Sequence, residues 1–478
     1  MGLDIPHSQF CDADFEEFKR RLHRETDHLS AWFRDGAFDN QPGACGFELE
    51  AWLVNSQFQP APMNDVILPT INHGLVVPEL ARFNFEINST PQTLSPHMFR
   101  DMDNELAAIW ELCEHRARDH DCGVMTIGIL PTITDDALTV ANMSSNCRYR
   151  ALNEQVLRLR NGRNLILEID GNDRLYVEHD DVMLESVTTS LQIHIQCPPQ
   201  NAARHYNLSQ ILAAPMAAVT ANSPYLFGRD LWDETRIPAF EQSIAVASFR
   251  AADGRTIGRA TFGTGYAHSS ILEPFLENLY AYPVLLPIHF EDREEDLSHL
   301  RLHNGTIWRW TRPLVGVNAH GVPHLRIEHR VPAAGPSRPD IIANIAFLLG
   351  LMVHFVNEDT RLEEKIPFMQ ARDNFYRAAK NGLCAEIKWA GDRTVRMQEL
   401  ILEHLVPAAR KGLQRAGVDR ADIDHYIHGI IAERVRSGQN GARWQRDFVA
   451  RYGRDMAALT AAYYHKQHSH RPVHTWSV

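Results

Sequence analysis

The sequence predicts an α+β fold, with an antiparallel β-sheet, helices on its outside and a helical C-terminal region. Three observations lead to this class. Several short segments alternate apolar and polar residues, as half-buried strands do, and segments of helical spacing lie between them. Beyond residue 340 the composition shifts to helix formers with apolar periodicity. With 478 residues, 44% of them hydrophobic, the chain can bury a large core.

The same patterns divide the chain into three regions. Residues 1–43 form an N-terminal helical segment, because Asp12 to Asp35 has helical spacing and a Gly/Pro-containing stretch follows it. Residues 44–339 hold the alternating segments and form the central domain. Residues 340–478 form the helical C-terminal region. Its apolar run, Ile341 to Val356, is shorter than the roughly 20 residues of a membrane span, so we expect a buried helix.

Gly46 to Leu53 predicts the first strand of the sheet. Because side chains alternate across a strand, Glu48 and Glu50 share one face and the apolar residues share the other. Two carboxylates on one face lie about 7 Å apart and repel each other by roughly 2 kcal/mol at an effective dielectric near 20. A bound cation would relieve that repulsion. A single Glu-x-Glu pair is usually a solvated strand face, so the cation hypothesis depends on repetition of the pattern.

Three later segments repeat the pattern, each with one apolar face and one polar face. The polar residues are Asn84, Glu86 and Asn88 in the first segment, Gln192, His194 and Gln196 in the second, and Arg326, Glu328 and Arg330 in the third. Glu79 lies near the expected start of the first segment. If the four strands belong to one antiparallel sheet, its polar face carries carboxylates and a histidine, with arginines at its end.

The remaining elements follow from spacing and turn composition. Helices are predicted at residues 96–121 and 202–219, with a strand at 123–130 after the first of them. Gly171-Asn172-Asp173 separates two short strands and predicts a hairpin. Residues 221–242 are polar and aromatic, which indicates a loop with a short helix.

The polar face has the composition of a site for divalent cations. Mg²⁺ prefers carboxylate oxygens and typically joins a few carboxylates to substrate phosphates. Two or three such ions, holding a nucleoside triphosphate, fit a set of five glutamates and one histidine: Glu48, Glu50, Glu79, Glu86, Glu328 and His194. Three arginines would bind carboxylate or phosphate oxygens bidentately: Arg236, Arg312 and Arg330.

Two residues before the last predicted strand have two interpretations each. Trp308, like Trp310 on the other side of Arg309, either packs in the core or lines the nucleotide cleft. Asn304 either contacts nucleotide or metal, or caps a turn. With Arg312, they are the candidate contacts to the nucleotide.

Composition and missing motifs exclude several classes of function. A formal net charge of -12 argues against a nucleic acid or an anionic membrane as partner. The 7 cysteines are scattered and form no Cys-x-x-Cys pair, as is typical of reduced cytosolic thiols. The N-terminus lacks a basic region followed by an apolar run, so we expect a cytoplasmic protein. The chain contains no P-loop, zincin or hydrolase-elbow motif.

Two other histidine-containing groups have alternative interpretations. A zinc site is one interpretation of Cys113, His115, His120 and Cys122, although a charged helix end is the ordinary one. The last residues contain His465, His468, His470 and His474, which we expect to form a mobile end, with metal binding as the alternative.

Taken together and in order, the short motifs resemble the glutamate-cysteine ligase type 2 family, which includes bacterial carboxylate-amine ligases. The resemblance covers roughly residues 44 to 335. It is carried by Gly46-Phe47-Glu48-Leu49-Glu50, Glu79, Glu86-Ile87-Asn88-Ser89-Thr90-Pro91, Gln192-Ile193-His194-Ile195, Ala221-Asn222-Ser223-Pro224 through Arg236, and Ile327-Glu328-His329-Arg330.

The resemblance implies a fold, a reaction and roles for individual residues. The fold is an open funnel of antiparallel sheet like the catalytic sheet of glutamine synthetase and guanido kinases. The reaction uses ATP and Mg²⁺ or Mn²⁺ in the domain 44–339: a substrate carboxylate accepts the γ-phosphoryl group, and an amine then attacks the acyl phosphate to form an amide, with a γ-glutamyl product expected. The implied metal ligands are Glu48, Glu50, Glu79, Glu86, His194 and Glu328.

Of the two implied catalytic arginines, Arg236 would hold the substrate carboxylate and Arg330 would contact phosphate or the transition state. The partners would be a small carboxylate and a small amine, and self-association stays open. A phosphotransferase acting on a small guanidine or carboxylate and a non-catalytic nucleotide-binding protein are the alternatives. The presence of the whole ligand set argues against the last of these.

Overall fold

The computed structural model describes residues 5, 7–40, 43–246, 249–250, 256–318, 320–391 and 393–478. The first four residues and Pro6, which contribute to the expectation of a chain without a secretion signal, lie outside this set. The described residues form the α+β architecture that the alternating and helical patterns predict.

Helices account for the regions of helical spacing. The first predicted helix, Asp12 to Asp35, is observed with the same bounds. In chain order, the α-helices are α1 Asp12–Asp35, α2 Asn64–Ile71, α3 Met98–Arg118, α4 Cys147–Leu159, α5 Ala202–Thr220, α6 Arg236–Ser243, α7 Leu272–Ala281, α8 Ser298–Gly305, α9 Arg338–Val356, α10 Leu362–Lys365, α11 Phe368–Asn381, α12 Met397–Leu400, α13 Val406–Arg415, α14 Arg420–Ile423, α15 Glu433–Ser437, α16 Gly441–Tyr452 and α17 Met456–Gln467, with π-helical segments at Ile401–Leu405 and Asp424–Ala432.

The strands are mostly short. In chain order they are β1 Ala44–Asn55, β2 Val76–Pro78, β3 Asn84–Asn88, β4 Gln92–Thr93, β5 Cys122–Met125, β6 Leu165–Asp170, β7 Arg174–His179, β8 Leu191–Cys197, β9 Tyr225–Leu226, β10 Arg229–Asp230, β11 Phe249–Arg250, β12 Thr256–Ile257, β13 Ala260–Thr261, β14 Trp308–Arg309, β15 Thr311–Val317, β16 Pro323–His329, β17 Glu386–Lys388 and β18 Thr394–Arg396.

One large sheet organises the molecule. It has 8 strands in the order β15-β16-β8-β1-β3-β2, with β4 and β5 also paired to β1. Its pairings are antiparallel throughout. The four strands predicted from alternation, β1, β3, β8 and β16, are consecutive in this order as β16-β8-β1-β3. The prediction of a single antiparallel sheet is therefore confirmed.

The apolar face of this sheet is covered by two helices that are buried nearly all round. Leu49, Ile87 and Ile193 from the sheet share one hydrophobic core with residues of α5 and α9. Among the described residues, α9 is the one helix whose length and apolar composition would suit a membrane span, and 78% of its apolar stretch is buried inside the protein. The expectation of a buried helix is confirmed.

Some predicted elements differ in detail from the observed ones. Glu79 lies in the connection between β2 and β3, which pair with each other, rather than at the start of a single strand. The predicted strand 123–130 ends at Met125. The short length of the strand at 122–125 and the position of Glu79 depend on contacts distant in sequence, which alternation alone does not encode. The predicted hairpin is confirmed, and its strands β6 and β7 form a separate two-stranded sheet.

The C-terminal residues are packed, which corrects the expectation of a mobile end. Val473 and Trp476 are buried, and the backbone N–H of Val473 donates to the Asp340 carboxylate at the start of α9. His468 pairs with Glu114 of α3. Buried apolar residues thus hold the end of the chain in place, although its histidines and arginines make the composition of the segment polar.

Candidate active site

The register of the sheet brings the predicted polar residues onto one face. Glu50 lies opposite Glu86, and Glu48 lies opposite Gln192. His194 lies opposite Glu328, which on its other side lies opposite Arg312. Residues directly opposite on neighbouring strands have their Cβ atoms about 5 Å apart, so these side chains are in reach of one another.

At one end of this face, Glu328 is held between two arginines. Arg312 donates to both of its oxygens, from Nε at 2.9 Å to Oε2 and from Nη2 at 3.0 Å to Oε1 and 2.7 Å to Oε2. Arg330 Nη1 donates to Oε1 at 2.7 Å. Burial alone would raise the pKa of Glu328, but the two guanidinium groups lower it to about 2. This carboxylate is ionised and its charge is balanced by the protein.

In the middle of the face, Glu48 pairs with the imidazole of His194. Nε2 of His194 lies 3.3 Å from Oε1 of Glu48. Burial would raise the pKa of Glu48, yet the histidine beside it holds the pKa well below its usual range. Both side chains are largely buried, with 12% and 13% of their surface exposed. The carboxylate is therefore available as an ionised oxygen donor.

At the other end, three carboxylates converge. Oxygens of Glu50, Glu79 and Glu86 lie within 4.8 Å of one another. Among the described residues no lysine or arginine forms an ion pair with any of the three. Burial and the neighbouring Glu79 raise the pKa of Glu50 to about 7, and burial with Glu48 and Glu79 raises the pKa of Glu86 well above its usual value.

This carboxylate cluster, Glu50, Glu79 and Glu86, fits a divalent cation. Its donor atoms are the oxygens that Mg²⁺ and Mn²⁺ prefer, and their spacing permits shared coordination of one ion. The raised pKa values of Glu50 and Glu86 have burial as their first cause and the neighbouring carboxylates as their second, and a bound cation would oppose both effects. Glu86 also accepts a hydrogen bond from Nδ2 of Asn88 at 2.9 Å, which orients one of its oxygens.

Between the two ends a pocket opens. It is lined by Glu50, Glu185, Thr188, Ser190, Arg236, Phe240, Trp310 and Arg330. Glu50 accepts hydrogen bonds from the backbone N–H of Ser190 at 2.5 Å and from Nε2 of Gln192 at 2.9 Å. Gln192 in turn accepts from Nη1 of Arg330 at 2.5 Å. Gln192 thus connects the cluster to the arginine end.

Arg236 forms part of the pocket wall from the first residue of α6. It is 2% exposed, and its Nε donates to Glu234 at 3.1 Å. Its Nη1 donates to the carbonyl of Arg330 at 3.4 Å and its Nη2 donates to the carbonyl of Val331. Burial lowers the pKa of Arg236, and Glu234 opposes that shift. These contacts fix the guanidinium at the pocket while leaving N–H bonds on both terminal nitrogens.

The three candidate nucleotide contacts have different surroundings. Asn304 is 3% exposed, and its amide donates to the carbonyl of Pro313 at 2.9 Å and accepts from Asn278 at 2.8 Å. Trp308 begins β14 and is partly buried. Arg312 is occupied by Glu328. Asn304 thus stabilises the edge of the sheet through its hydrogen bonds. A role of Asn304, Trp308 and Arg312 in nucleotide binding stays a prediction.

Sequence reasoning missed two acidic residues of the site, Glu185 and Glu241. Glu185 lines the pocket from a 3₁₀ helix, Met183–Val187, where no strand or helix periodicity identifies a face. Trp310 faces the pocket and donates from Nε1 to Glu241 at 2.8 Å, and Tyr376 of α11 donates to the same oxygen at 2.8 Å. Burial raises the pKa of Glu241 to about 7. For Glu185, the one available signal in the sequence was an acidic residue in the apolar stretch that precedes β8, the strand of His194.

The chain resembles solved structures across most of its length. A glutamate-cysteine ligase from Francisella tularensis, in complex with AMP, is 12% identical with a TM-score of 0.53, and the match covers 91% of this chain and 90% of that one. A bifunctional glutathione synthetase from Pasteurella multocida is 11% identical with a TM-score of 0.52, covering 93% of this chain and 55% of that one. Comparison with curated protein sequences finds no significant match.

The fold and the polar face together are consistent with the class of carboxylate-amine ligases, to which the family match below points. Within that class the assignment is specific, because the family model described as glutamate-cysteine ligase family 2 matches residues 44–471. The chain belongs to this family, and the resemblance seen in its short motifs is confirmed.

Proposed function

We propose that the protein is an ATP-dependent carboxylate-amine ligase that forms a γ-glutamyl amide through an acyl phosphate, using Mg²⁺ or Mn²⁺. The observation that supports this most is the arrangement of one sheet face. At one end is a carboxylate cluster that forms no ion pair with a lysine or arginine of the described residues, and at the other end is an arginine pair. Phosphoryl transfer to a carboxylate needs both, because the reacting groups are anions that must be brought together.

The chain's own residues would perform three tasks. Glu50, Glu79 and Glu86 would hold a cation, with Glu48 and His194 as donors to a further ion. Such ions and ATP would supply charge neutralisation and the phosphoryl group. The guanidinium of Arg330 would bind and orient an anionic group of the substrate, since among the described residues its hydrogen bonds involve Nη1 alone. Buried side chains around the pocket limit its contact with water, which strengthens these interactions.

Glu328 would act differently from the other predicted ligands. Its two oxygens are engaged by Arg312 and Arg330, so in this state it positions the arginines. A direct metal contact from Glu328 would require one of these ion pairs to lengthen.

The test is phosphate release from ATP with Mg²⁺ across a panel of amino-acid carboxylates and amines, with mass spectrometry of the products. We expect release that requires both a carboxylate and an amine, with an amide formed and with L-glutamate preferred. Chelation of the metal by EDTA should abolish it. Glu50→Gln provides the site control and should lose the metal-dependent turnover while keeping the circular dichroism of the parent.

Two outcomes would contradict the proposal. A stable phosphorylated product formed without an amine would indicate a phosphotransferase. ATP binding without turnover on any pair would indicate a nucleotide-binding protein. We also propose a cytoplasmic location and small-molecule substrates, in keeping with the scattered free cysteines.

A further inference from the structure

Glu185 is an unpaired carboxylate in the wall of the pocket. It is partly buried in the 3₁₀ helix Met183–Val187. Among the described residues, no donor forms a hydrogen bond with its carboxylate and no basic side chain forms an ion pair with it. Glu50, in the same pocket, instead accepts hydrogen bonds from Ser190 and Gln192. Glu185 therefore presents two free acceptor oxygens.

The groups around Glu185 show which kind of ligand would stabilise its carboxylate. Burial and the nearby carboxylates of Glu79 and Glu50 raise its pKa to about 8, against the smaller opposing effect of Arg330. A carboxylate in these surroundings is stabilised by any cationic group that enters the pocket. An organic ammonium can donate hydrogen bonds to both oxygens at once.

The rest of the pocket wall is complementary to the other parts of an amino acid. Arg236 and Arg330 present guanidinium groups suited to a carboxylate. Phe240 and Trp310 form an aromatic surface beside the two guanidinium groups. Cζ of Arg330 lies 5.8 Å from the ring centre of Phe240, and Cζ of Arg236 lies 5.2 Å from that of Trp310. One wall thus offers positive groups, apolar rings and a carboxyl group that an entering cation would ionise, which together match a zwitterion with an aliphatic chain.

We propose that Glu185 binds the ammonium group of an α-amino-acid substrate, so that this residue determines specificity for a zwitterion over a simple carboxylate. The inference rests on the proposed ligase function and adds to it the substrate class that the pocket accepts. The motifs that resemble the family supply no negative group to the pocket other than the carboxylate cluster. The proposed cation would occupy that cluster, so it would not be available to an ammonium group.

The experiment compares binding of L-glutamate and glutarate, which differ by the ammonium group alone. Isothermal titration calorimetry with full-length protein and Mg²⁺ gives Kd for each ligand, for the parent and for Glu185→Gln. We expect the parent to bind L-glutamate about 10- to 100-fold more tightly than glutarate, as a charge-assisted contact would provide. In Glu185→Gln this ratio should fall to near one, with the Kd for glutarate unchanged.

Three controls separate specificity from structural damage. Glu154→Gln changes an exposed glutamate of α4 and should keep the parent ratio. Glu185→Asp should recover part of the preference. Mn²⁺ affinity, measured by electron paramagnetic resonance, should be the same in Glu185→Gln as in the parent. Equal loss of affinity for both ligands would show a structural defect and overturn the proposal.

Other outcomes are equally decisive. A parent that does not prefer L-glutamate, or a Glu185→Gln variant that keeps the preference, overturns the proposal. Weaker Mn²⁺ binding with an unchanged ratio would make Glu185 a metal ligand instead. Because the readout is binding, a protein that shows the preference but turns over no substrate pair would contradict the ligase function and leave the role of Glu185 supported.

Discussion

The two ends of the polar face contain the same functional group in opposite electrostatic states. Glu328 is buried against Arg312 and Arg330, and its pKa is lowered to about 2. Glu50 is one of three converging carboxylates without a described basic partner, and its pKa is raised to about 7. At the first end, side chains of the protein itself balance the charge of the carboxylate. The second end becomes favourable when a cation from solution binds to it.

This difference shows that the role of an acidic residue depends on its neighbours more than on its strand. The strand glutamates Glu50, Glu86 and Glu328 follow the same alternation and face the same way. A carboxylate that the protein neutralises adds to stability, whereas one that it leaves unbalanced reduces stability until a ligand arrives. The four predictions below test this contrast.

The largest effect is expected from breaking the balanced end. Arg312→Met leaves Glu328 with a single guanidinium partner and removes a bidentate pair from a buried site. Breaking a buried ion pair by removing one partner typically costs about 3–5 kcal/mol. Guanidinium chloride unfolding should show a loss of that size without added metal. Arg420→Met, an exposed change in α14, is the control, and equal stability of the two variants would refute the contrast.

The next effect comes from removing charge at the unbalanced end. Glu86→Gln should weaken Mn²⁺ binding by at least about 100-fold, because partners of metal ligands alone are worth about 10- to 100-fold. The same change should stabilise the metal-free protein at neutral pH, since Glu86 must either take up a proton on folding or keep a charge buried near Glu48 and Glu79, and glutamine does neither. Calorimetric Mn²⁺ titration and unfolding in EDTA measure the two quantities. Glu111→Gln, exposed on α3, should change neither.

The two ends should also differ in their dependence on pH. The pKa of Glu50 rises from 4.5 when unfolded to about 7 when folded, so between these values the folded state keeps a proton that the unfolded state has lost. Stability without metal should therefore fall by about 3 kcal/mol as pH rises through this window. Glu328 behaves in the opposite way, because its lowered pKa provides stability above 4.5 that is lost as pH falls towards 2.

Unfolding at pH 5.5, 6.5, 7.5 and 8.5, with and without Mg²⁺, separates these contributions. The stabilisation by Mg²⁺ should be larger at pH 8.5 than at pH 5.5, since ionised carboxylates bind the metal. A Mg²⁺ effect that is independent of pH would contradict the assignment of the carboxylate cluster as the cation site.

The smallest effect is expected at the pocket wall between the ends. Trp310→Phe keeps an aromatic ring beside Arg236 but removes the Nε1–H that donates to Glu241. Loss of one such hydrogen bond is worth about 1 kcal/mol, so KM for the carboxylate substrate should rise up to about 5-fold with kcat nearly constant. Trp389→Phe, which changes a partly buried tryptophan that does not line the pocket, is the matched control. A large fall in kcat would place Trp310 in the chemistry itself.

Much of the fold was predictable because strand alternation has a period of two. Glu48, Glu86, His194 and Glu328 could be placed on polar faces from their own segments. The motifs then indicated one sheet, and the structure confirms it with β16-β8-β1-β3 as neighbours.

What could not be predicted depends on contacts between distant segments. The ion pair of Arg312 with Glu328 requires the register of β15 against β16, which the sequence does not state. Glu185 lies on a 3₁₀ helix without periodicity, so nothing local directed it towards the pocket. The end of the chain was expected to be mobile on composition, while burial of Val473 and Trp476 holds it in place.

The order of the strands along the chain has a consequence for biosynthesis. Glu50 lies in β1, Glu79 in the connection after β2, and Glu86 in β3. These strands can pair as soon as a short segment has left the ribosome. Glu328 and its arginines follow roughly 240 residues later, a delay of about 12 to 48 s at ordinary rates of translation. The nascent chain therefore carries the anionic cluster well before it carries the arginine end. Intracellular Mg²⁺ is then available as a partner for the first part of the sheet to fold.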